Sequence, residues 1–132
     1  MDGCSILIID DDQDDIEILS QAFTSCGVET VHYVNSAMQA FIYLEKQTSK
    51  ECLPKLIVTD LYLPGISGAE FLRDLKNMDA YKHIPVLVLS TIKNEQEIEK
   101  YRVLGEVDYL IKPSSYDEYK NIANYIKSKV VE

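Results

Sequence analysis

The stretch SILIIDDDQDDIEIL, residues 5–19, decides the fold of this chain. Its first five residues (SILII) form a short, nearly continuous apolar run, which is typical of a strand buried on both faces of a parallel sheet. Six acidic residues follow between Asp10 and Glu17, and apolar residues at helical spacing begin at Ile16. A buried strand that passes through a polar turn into an amphipathic helix is the first β-α unit of an α/β protein.

The same alternation continues along the rest of the chain. Four more apolar runs predict strands at 29–34, 55–60, 85–90 and 108–111. Helical patterns lie between and after them: Gly27 can end the first helix, Ser36 can cap the second, and the last three begin near Ser67, Asn94 and Ser115. Because the connections suit right-handed crossovers, we predict a doubly wound parallel α/β sheet of (βα)5 type, with the flavodoxin-like strand order 2-1-3-4-5.

Length and charge restrict the class of protein. The chain has 132 residues, of which 46% are hydrophobic, and we expect residues 1–132 to form a single domain with no output domain. The net charge of −9 arises entirely in residues 1–45, which hold nine acids and no Lys or Arg. Because binding to phosphate backbones requires the opposite charge, direct nucleic-acid binding is not expected. No apolar run approaches the roughly 18 residues of a membrane span, so we expect no membrane association. No signal peptide is evident and the three cysteines show no CxxC spacing, so we expect a cytoplasmic location.

Polar side chains end the predicted strands at the edge where such sheets bind ligands. Asp10 and Asp11 end the first strand, Asp60 the third and Ser90 the fourth, and the fifth runs into Lys112. Because ligands bind beyond the carboxyl ends of the strands, where the strand order reverses, we expect these side chains to converge. Taken singly, each also fits an ordinary role, as a helix cap, a turn residue or a surface lysine. The neighbouring acids are expected to be first-turn partners of the helix dipole: Asp12, Asp14, Asp15 and Glu17.

The chemistry of that set points to phosphoryl transfer. Three crowded carboxylates repel one another unless a cation neutralises them, and oxygen ligands suit Mg²⁺. A lysine and a hydroxyl can bind phosphoryl oxygens, and a carboxylate between metal and lysine can attack phosphorus to form an aspartyl phosphate. The chain contains neither GxxxxGK[ST] nor GxGxxG, which argues against a Walker or dinucleotide site.

Four segments resemble the receiver domain of two-component response regulators, of the stand-alone type: ILIIDDD (6–12), LIVTDLYLPGISGAEFL (56–72), VLVLST (86–91) and GEVDYLIKP (105–113). The resemblance implies that Asp60 is the phosphoacceptor. It also implies that Asp10, Asp11 and Asp60, with the backbone carbonyl of Tyr62, hold Mg²⁺. Lys112 then binds the phosphoryl group, and Ser90 and Tyr109 act as the switch residues.

The resemblance also implies a function and partners. The phosphoryl group would come from a histidine kinase or a histidine phosphotransfer protein, and it would switch a protein-binding face formed by helix 4, strand 5 and helix 5. A downstream protein target would bind that face, and the regulator would be a monomer or weak dimer. It would not be an enzyme, because its only chemistry would be its own phosphorylation and autodephosphorylation. The acidic segment DDDQDDIEIL is similar to that of receivers that pair with phytochrome-like kinases.

Three residues are expected to tune the lifetime of the phosphoryl group. Tyr62 and Ile92 correspond to positions that flank the approach of water, and Thr91 replaces the small residue, such as alanine, that is typical of the family. Their bulk predicts slow hydrolysis. Thr91 also leaves open the alternative of a receiver-like interaction module that no longer accepts phosphate. A flavodoxin-type electron carrier fits poorly, because the acidic stretch after the first strand would repel a flavin phosphate.

Overall fold

A computed structural model describes residues 5–47, 49–91, 94–103 and 107–130. The strands are β1 (Ile6–Ile9), β2 (Val31–Val34), β3 (Leu56–Thr59), β4 (Val86–Ser90) and β5 (Val107–Ile111). The α-helices are α1 (Gln13–Ser25), α2 (Ala37–Glu45), α3 (Gly68–Lys76), α4 (Glu95–Arg102) and α5 (Tyr116–Val130). The predicted strands and helices are thus confirmed, and a short 3-10 helix at Lys50–Cys52 was not predicted.

The strands form one parallel sheet in the order β2-β1-β3-β4-β5, which confirms the predicted topology. Every residue of β1, β3 and β4 is buried, as the continuous apolar runs predict for strands covered on both faces. The ladder continues one residue past the strands, because the Asp10 N–H donates to the Val34 carbonyl and the Asp60 N–H to the Ile9 carbonyl, both at 3.1 Å. This register places Asp10 and Asp60 next to each other at the carboxyl edge.

Two hydrophobic layers cover the sheet. On one face, α1 and α5 bury Leu19, Phe23, Ala123 and Ile126. On the other face, α2, α3 and α4 contribute a second cluster, with Phe71 of α3 completely buried. Burial of each large apolar side chain stabilises the fold by about 1.5–3 kcal/mol, so these layers hold the strand ends firmly in place.

The helix ends lie at the predicted residues. The Ser36 hydroxyl accepts the Gln39 N–H at 3.1 Å, and Ser67 forms a capping box with Glu70. Gly27 has φ +83° directly after α1, a conformation that glycine adopts at little cost. The fourth helical pattern, which begins near Asn94, includes Leu104 and is followed by Gly105, but both of these residues lie outside the described residues. Within the described ranges, no helix combines the length and apolar character needed to cross a bilayer.

Candidate functional site

The ends of β1, β3 and β5 bring Asp10, Asp60 and Lys112 into direct contact. The Lys112 Nζ lies 2.9 Å from Asp10 Oδ2 and 2.7 Å from Asp60 Oδ2. The side chains of Lys112 and Asp10 are only 8% and 4% exposed. The Lys112 N–H also donates to the Ser90 carbonyl at 2.8 Å, which aligns the end of β5 with that of β4. Of the strand-end residues expected to converge, the structure brings the side chains of Asp10, Asp60 and Lys112 into contact, whereas Asp11 is exposed and Ser90 meets Lys112 through its backbone carbonyl.

Backbone amides orient the carboxylate of Asp60. Its Oδ1 accepts the Leu61 N–H at 2.6 Å and the Tyr62 N–H at 3.3 Å, while its Oδ2 accepts from Lys112. Asp60 is thus held between a fixed pair of donors and a buried ammonium, half-buried at the rim of the sheet. The Asp60 side chain keeps 12% of its surface exposed, so it is not sealed from solvent.

Gly68 permits this arrangement, and sequence reasoning missed it. It is the first residue of α3, and its N–H donates to the Leu61 carbonyl at 2.9 Å. A Cβ at this position would lie 2.7 Å from Leu61 Cα and closer still to the Asp60 carbonyl oxygen. The available signal was a glycine at a helix start that a better helix former could occupy.

The charge of Asp10 is incompletely compensated. Burial raises the pKa of Asp10, and the negative charge of Asp60 adds to this, although hydrogen bonds from the Asp12 N–H and Lys112 act in the opposite direction. A carboxylate whose charged form is disfavoured in the folded state is stabilised by an added cation. The environment of Asp10 therefore favours binding of a metal ion at this edge.

The pKa of Lys112 is shifted upward. Burial alone would lower this pKa, but hydrogen bonds to Asp15, Asp60 and Asp10 together outweigh the burial and raise it. Lys112 is therefore fully charged at neutral pH and provides a permanent positive charge beside Asp60. A buried ammonium of this kind can bind an oxygen of a phosphoryl group.

The donor atoms at this edge fit Mg²⁺ chemically. They are carboxylate oxygens, and Mg²⁺ takes few protein ligands because it keeps several waters. Among the described residues, no three or more His, Cys, Asp or Glu side chains form a ready metal cage, since the oxygens of Asp10 and Asp60 turn to Lys112. Asp11 is exposed directly beside Asp10. The metal-ligand roles of Asp10, Asp11, Asp60 and the Tyr62 carbonyl remain predictions.

Asp15 is the residue of this site that sequence reasoning assigned elsewhere. It was expected to be a first-turn partner of the helix dipole, but its Oδ2 lies 2.7 Å from the Lys112 Nζ. Asp12, by contrast, is the N-cap of α1 and accepts the N–H groups of Asp14 and Asp15. Asp15 lies in the first turn of the same helix, and its side chain reaches the Lys112 ammonium.

The two predicted switch residues contact each other. Ser90 is completely buried at the end of β4, and Tyr109 of β5 is 8% exposed. Burial raises the pKa of Tyr109, and a hydrogen bond with Ser90 acts against that rise. If Tyr109 acts as a switch residue, phosphorylation is expected to turn its ring inward, but Tyr109 already lies inward in this structure. The structure does not show the outward position that such a movement requires.

Two of the three residues predicted to tune the lifetime, Tyr62 and Thr91, lie among the described residues. Tyr62 has 67% of its surface exposed, and Thr91 is also exposed. Ile92 lies outside the described residues.

Comparison with known proteins identifies the family. Residues 6–124 match the response regulator receiver domain, and the chain therefore belongs to the receiver-domain family of two-component response regulators. It is similar to the two-component response regulator ORR13 of Oryza sativa subsp. japonica, with 29% identity over 96% of this chain and 100% of that protein. It is also 29% identical to the response regulator-like protein PRR37 of Oryza sativa subsp. indica, over 92% of this chain, but it spans only 16% of that protein's length.

Solved structures agree with this assignment. The phosphorylated cyanobacterial phytochrome response regulator RcpA superimposes with a TM-score of 0.84 and 30% identity, over 97% of this chain and 94% of that one. The Mn²⁺-bound form of response regulator Rcp1 gives a TM-score of 0.77 and 26% identity, over 93% and 91% of the two chains. Chemotaxis response regulator CheY4 of Vibrio cholerae, at 20% identity over 94% and 98% of the chains, shares the fold with a TM-score of 0.75.

Proposed function

We propose that this chain is a single-domain response regulator whose Asp60 accepts a phosphoryl group. The observation that carries the proposal is the position of Asp60, which is oriented by two backbone amides and contacts the buried ammonium of Lys112 at 2.7 Å. The donor would be a phosphohistidine of a histidine kinase or of a histidine phosphotransfer protein. The likeness to RcpA, whose structure is of a phosphorylated protein, supports the same chemistry here.

In the transfer step, an oxygen of Asp60 attacks the phosphorus of the phosphohistidine. The new P–O bond forms as the P–N bond breaks, and the departing imidazole nitrogen keeps the bonding electrons and takes up a proton. Lys112 hydrogen-bonds a phosphoryl oxygen and offsets its growing negative charge. The amides of Leu61 and Tyr62 hold the Asp60 carboxylate still, so that little orientational freedom is lost during the reaction.

We assign the metal site to Asp10, Asp11, Asp60 and the backbone carbonyl of Tyr62. Mg²⁺ held by these oxygens would neutralise negative charge on the phosphoryl group. The raised pKa of Asp10, caused first by burial, supports a cation at this position. The likeness to the Mn²⁺-bound form of Rcp1 gives the same indication.

The signal would leave the site through Ser90 and Tyr109. A phosphoryl oxygen on Asp60 competes with Tyr109 for the Ser90 hydroxyl, and the loss of their hydrogen bond alters the packing of β5. β5 lies between α4 and α5 at the edge of the sheet, so this change would reshape the face that these elements form. A downstream protein would bind that face.

The remaining properties of the proposal follow from the chain's charge and surface. A net charge of −9 disfavours direct contact with nucleic acid, so the target is a protein. We infer a cytoplasmic regulator that is a monomer or weak dimer. The direct contact of Asp60 with Lys112 favours phosphate acceptance over the alternative of a module that has lost it.

Intact mass spectrometry after incubation with acetyl phosphate and Mg²⁺ tests the proposal. The wild-type chain should gain the mass of one phosphoryl group, and Asp60→Asn should gain none. Asp108→Asn is the matched control, because Asp108 is an exposed strand carboxylate that pairs with Lys129, away from this site. A wild-type chain that stays unmodified under these conditions would contradict the proposal.

A further inference from the structure

Asp15 is held in place from several directions. Its Oδ2 accepts from the Lys112 Nζ at 2.7 Å, and its Oδ1 accepts the Tyr119 hydroxyl of α5 at 3.4 Å. Its backbone N–H donates to the Asp12 side chain that caps α1. The side chain is only 22% exposed, so water screens its charge less than that of a surface acid. Asp15 is therefore a fixed negative charge inside the site, although the proposed chemistry assigns it no role.

Asp15 accepts one of the Lys112 N–H groups that a phosphoryl group on Asp60 would need. An ammonium has three N–H donors, and Lys112 directs them to three carboxylates, at 2.9 Å to Asp10 and 2.7 Å to both Asp15 and Asp60. A phosphoryl group on Asp60 brings additional negative charge to within reach of this same ammonium. Asp15 then competes for Lys112 and repels the new group.

Two effects of Asp15 on the phosphorylated state have opposite signs. Its hydrogen bond helps to hold Lys112 in position, which favours binding of a phosphoryl group. Its charge opposes that binding, and at a poorly screened site two like charges a few ångströms apart outweigh the contribution of one hydrogen bond. The charge effect should therefore dominate.

We propose that Asp15 destabilises the phosphorylated state, because its negative charge offsets part of the positive charge of Lys112 and repels the phosphoryl group. This inference rests on the proposed function only in that Lys112 contacts the group bound to Asp60. Asp15 is thus a tuning residue that acts through Lys112, and it sets how readily the site accepts and keeps a phosphoryl group.

The test is the affinity for beryllofluoride, which binds to a carboxylate and mimics its phosphorylated form. Binding at saturating Mg²⁺ is followed by fluorine NMR. Asp15→Asn keeps an oxygen acceptor near Lys112 but removes the charge, and it should bind beryllofluoride about tenfold more tightly than the wild type. Asp15→Ala removes both and should also bind more tightly.

Asp14→Asn is the matched control, since Asp14 is an exposed acid of the same helical turn, and its affinity should change less than twofold. If Asp15→Asn binds like the wild type and Asp15→Ala binds more weakly, Asp15 only positions Lys112 and the inference is wrong. Weaker binding by both variants, or a tighter binding matched by Asp14→Asn, also overturns it. A wild-type chain that binds no beryllofluoride overturns the proposed function together with this inference, whereas wild-type binding without tightening in Asp15→Asn overturns the inference alone.

Discussion

Replacement of Gly68 by alanine should displace the loop that carries Asp60. Gly68 is buried at the start of α3, against the backbone of Asp60 and Leu61. The added Cβ would lie 2.7 Å from Leu61 Cα, whereas real Cβ contacts under 3.0 Å are essentially never found. Because the opposing atoms belong to the backbone, no side-chain rotation can relieve the contact. The helix and the loop must move apart.

The size of the effect follows from two opposing contributions. Glycine-to-alanine changes at unstrained positions stabilise a protein by about 0.4–1 kcal/mol. Overpacking against rigid neighbours costs about 1–3 kcal/mol, so we expect a net destabilisation. A displacement of about 1 Å in a reacting group can slow its reaction by about 100-fold. We therefore expect phosphorylation by acetyl phosphate to slow by roughly 10- to 100-fold, with a net loss of about 1–2 kcal/mol in the free energy of unfolding.

Urea denaturation and the rate of phosphorylation, measured well below the unfolding transition, provide the assay. Gly27→Ala is the control, because Gly27 has φ +83° and a Cβ there would have nothing within 4 Å. That variant should lose about 1 kcal/mol through backbone strain but keep the wild-type rate. A Gly68→Ala variant with unchanged stability and rate would refute the close-packing argument.

Three further predictions concern metal, pH and lifetime. Mg²⁺ should raise the melting temperature, and Asp11→Asn should reduce that shift strongly; an unchanged shift would place the metal elsewhere. In metal-free buffer, burial raises the pKa of Asp10 above its ordinary value of 3.8. Protonated Asp10 therefore stabilises the folded state when the pH is below 3.8, and this stabilisation is lost as the pH rises through the raised pKa. The free energy of unfolding of the wild type, measured by urea denaturation relative to that of Asp10→Asn, should therefore fall as the pH rises above 3.8; an equal pH dependence of the two proteins would contradict this. The double change Tyr62→Asn with Ile92→Glu should speed loss of the phosphoryl group roughly tenfold, a change of about 1–2 kcal/mol in barrier, and leave Mg²⁺ affinity nearly unchanged; equal or slower decay would show that these positions do not control water access.

The fold could be predicted because its signal is local. The apolar runs of β1, β3 and β4 are continuous since helices cover both faces, and each run is followed by a capped amphipathic helix. Five β-α units with right-handed crossovers fit the strand order 2-1-3-4-5 but do not dictate it, so that order is a prediction from the common doubly wound folds. The convergence of Asp10, Asp60 and Lys112 then follows, because parallel strands end at one edge.

The missed features depend on contacts between distant segments. Asp12, Asp14 and Asp15 look equivalent in the sequence, and only the folded structure shows that Asp12 caps α1 while Asp15 contacts Lys112. The requirement for Gly68 arises where α3 meets the backbone of Asp60, which no local pattern reveals. The inward position of Tyr109 depends likewise on its hydrogen bond with Ser90 in the neighbouring strand.

The position of the phosphoryl group is the most direct test of the central claim that Asp60 is the phosphoacceptor. The protein is phosphorylated with acetyl phosphate and Mg²⁺ and then reduced with borohydride, which converts an acyl phosphate to the corresponding alcohol. Peptide mass spectrometry then locates the reduced residue. We expect a homoserine at position 60 and unmodified aspartate at positions 10, 11 and 15. Reduction at any of those three positions, with Asp60 intact, would contradict the account.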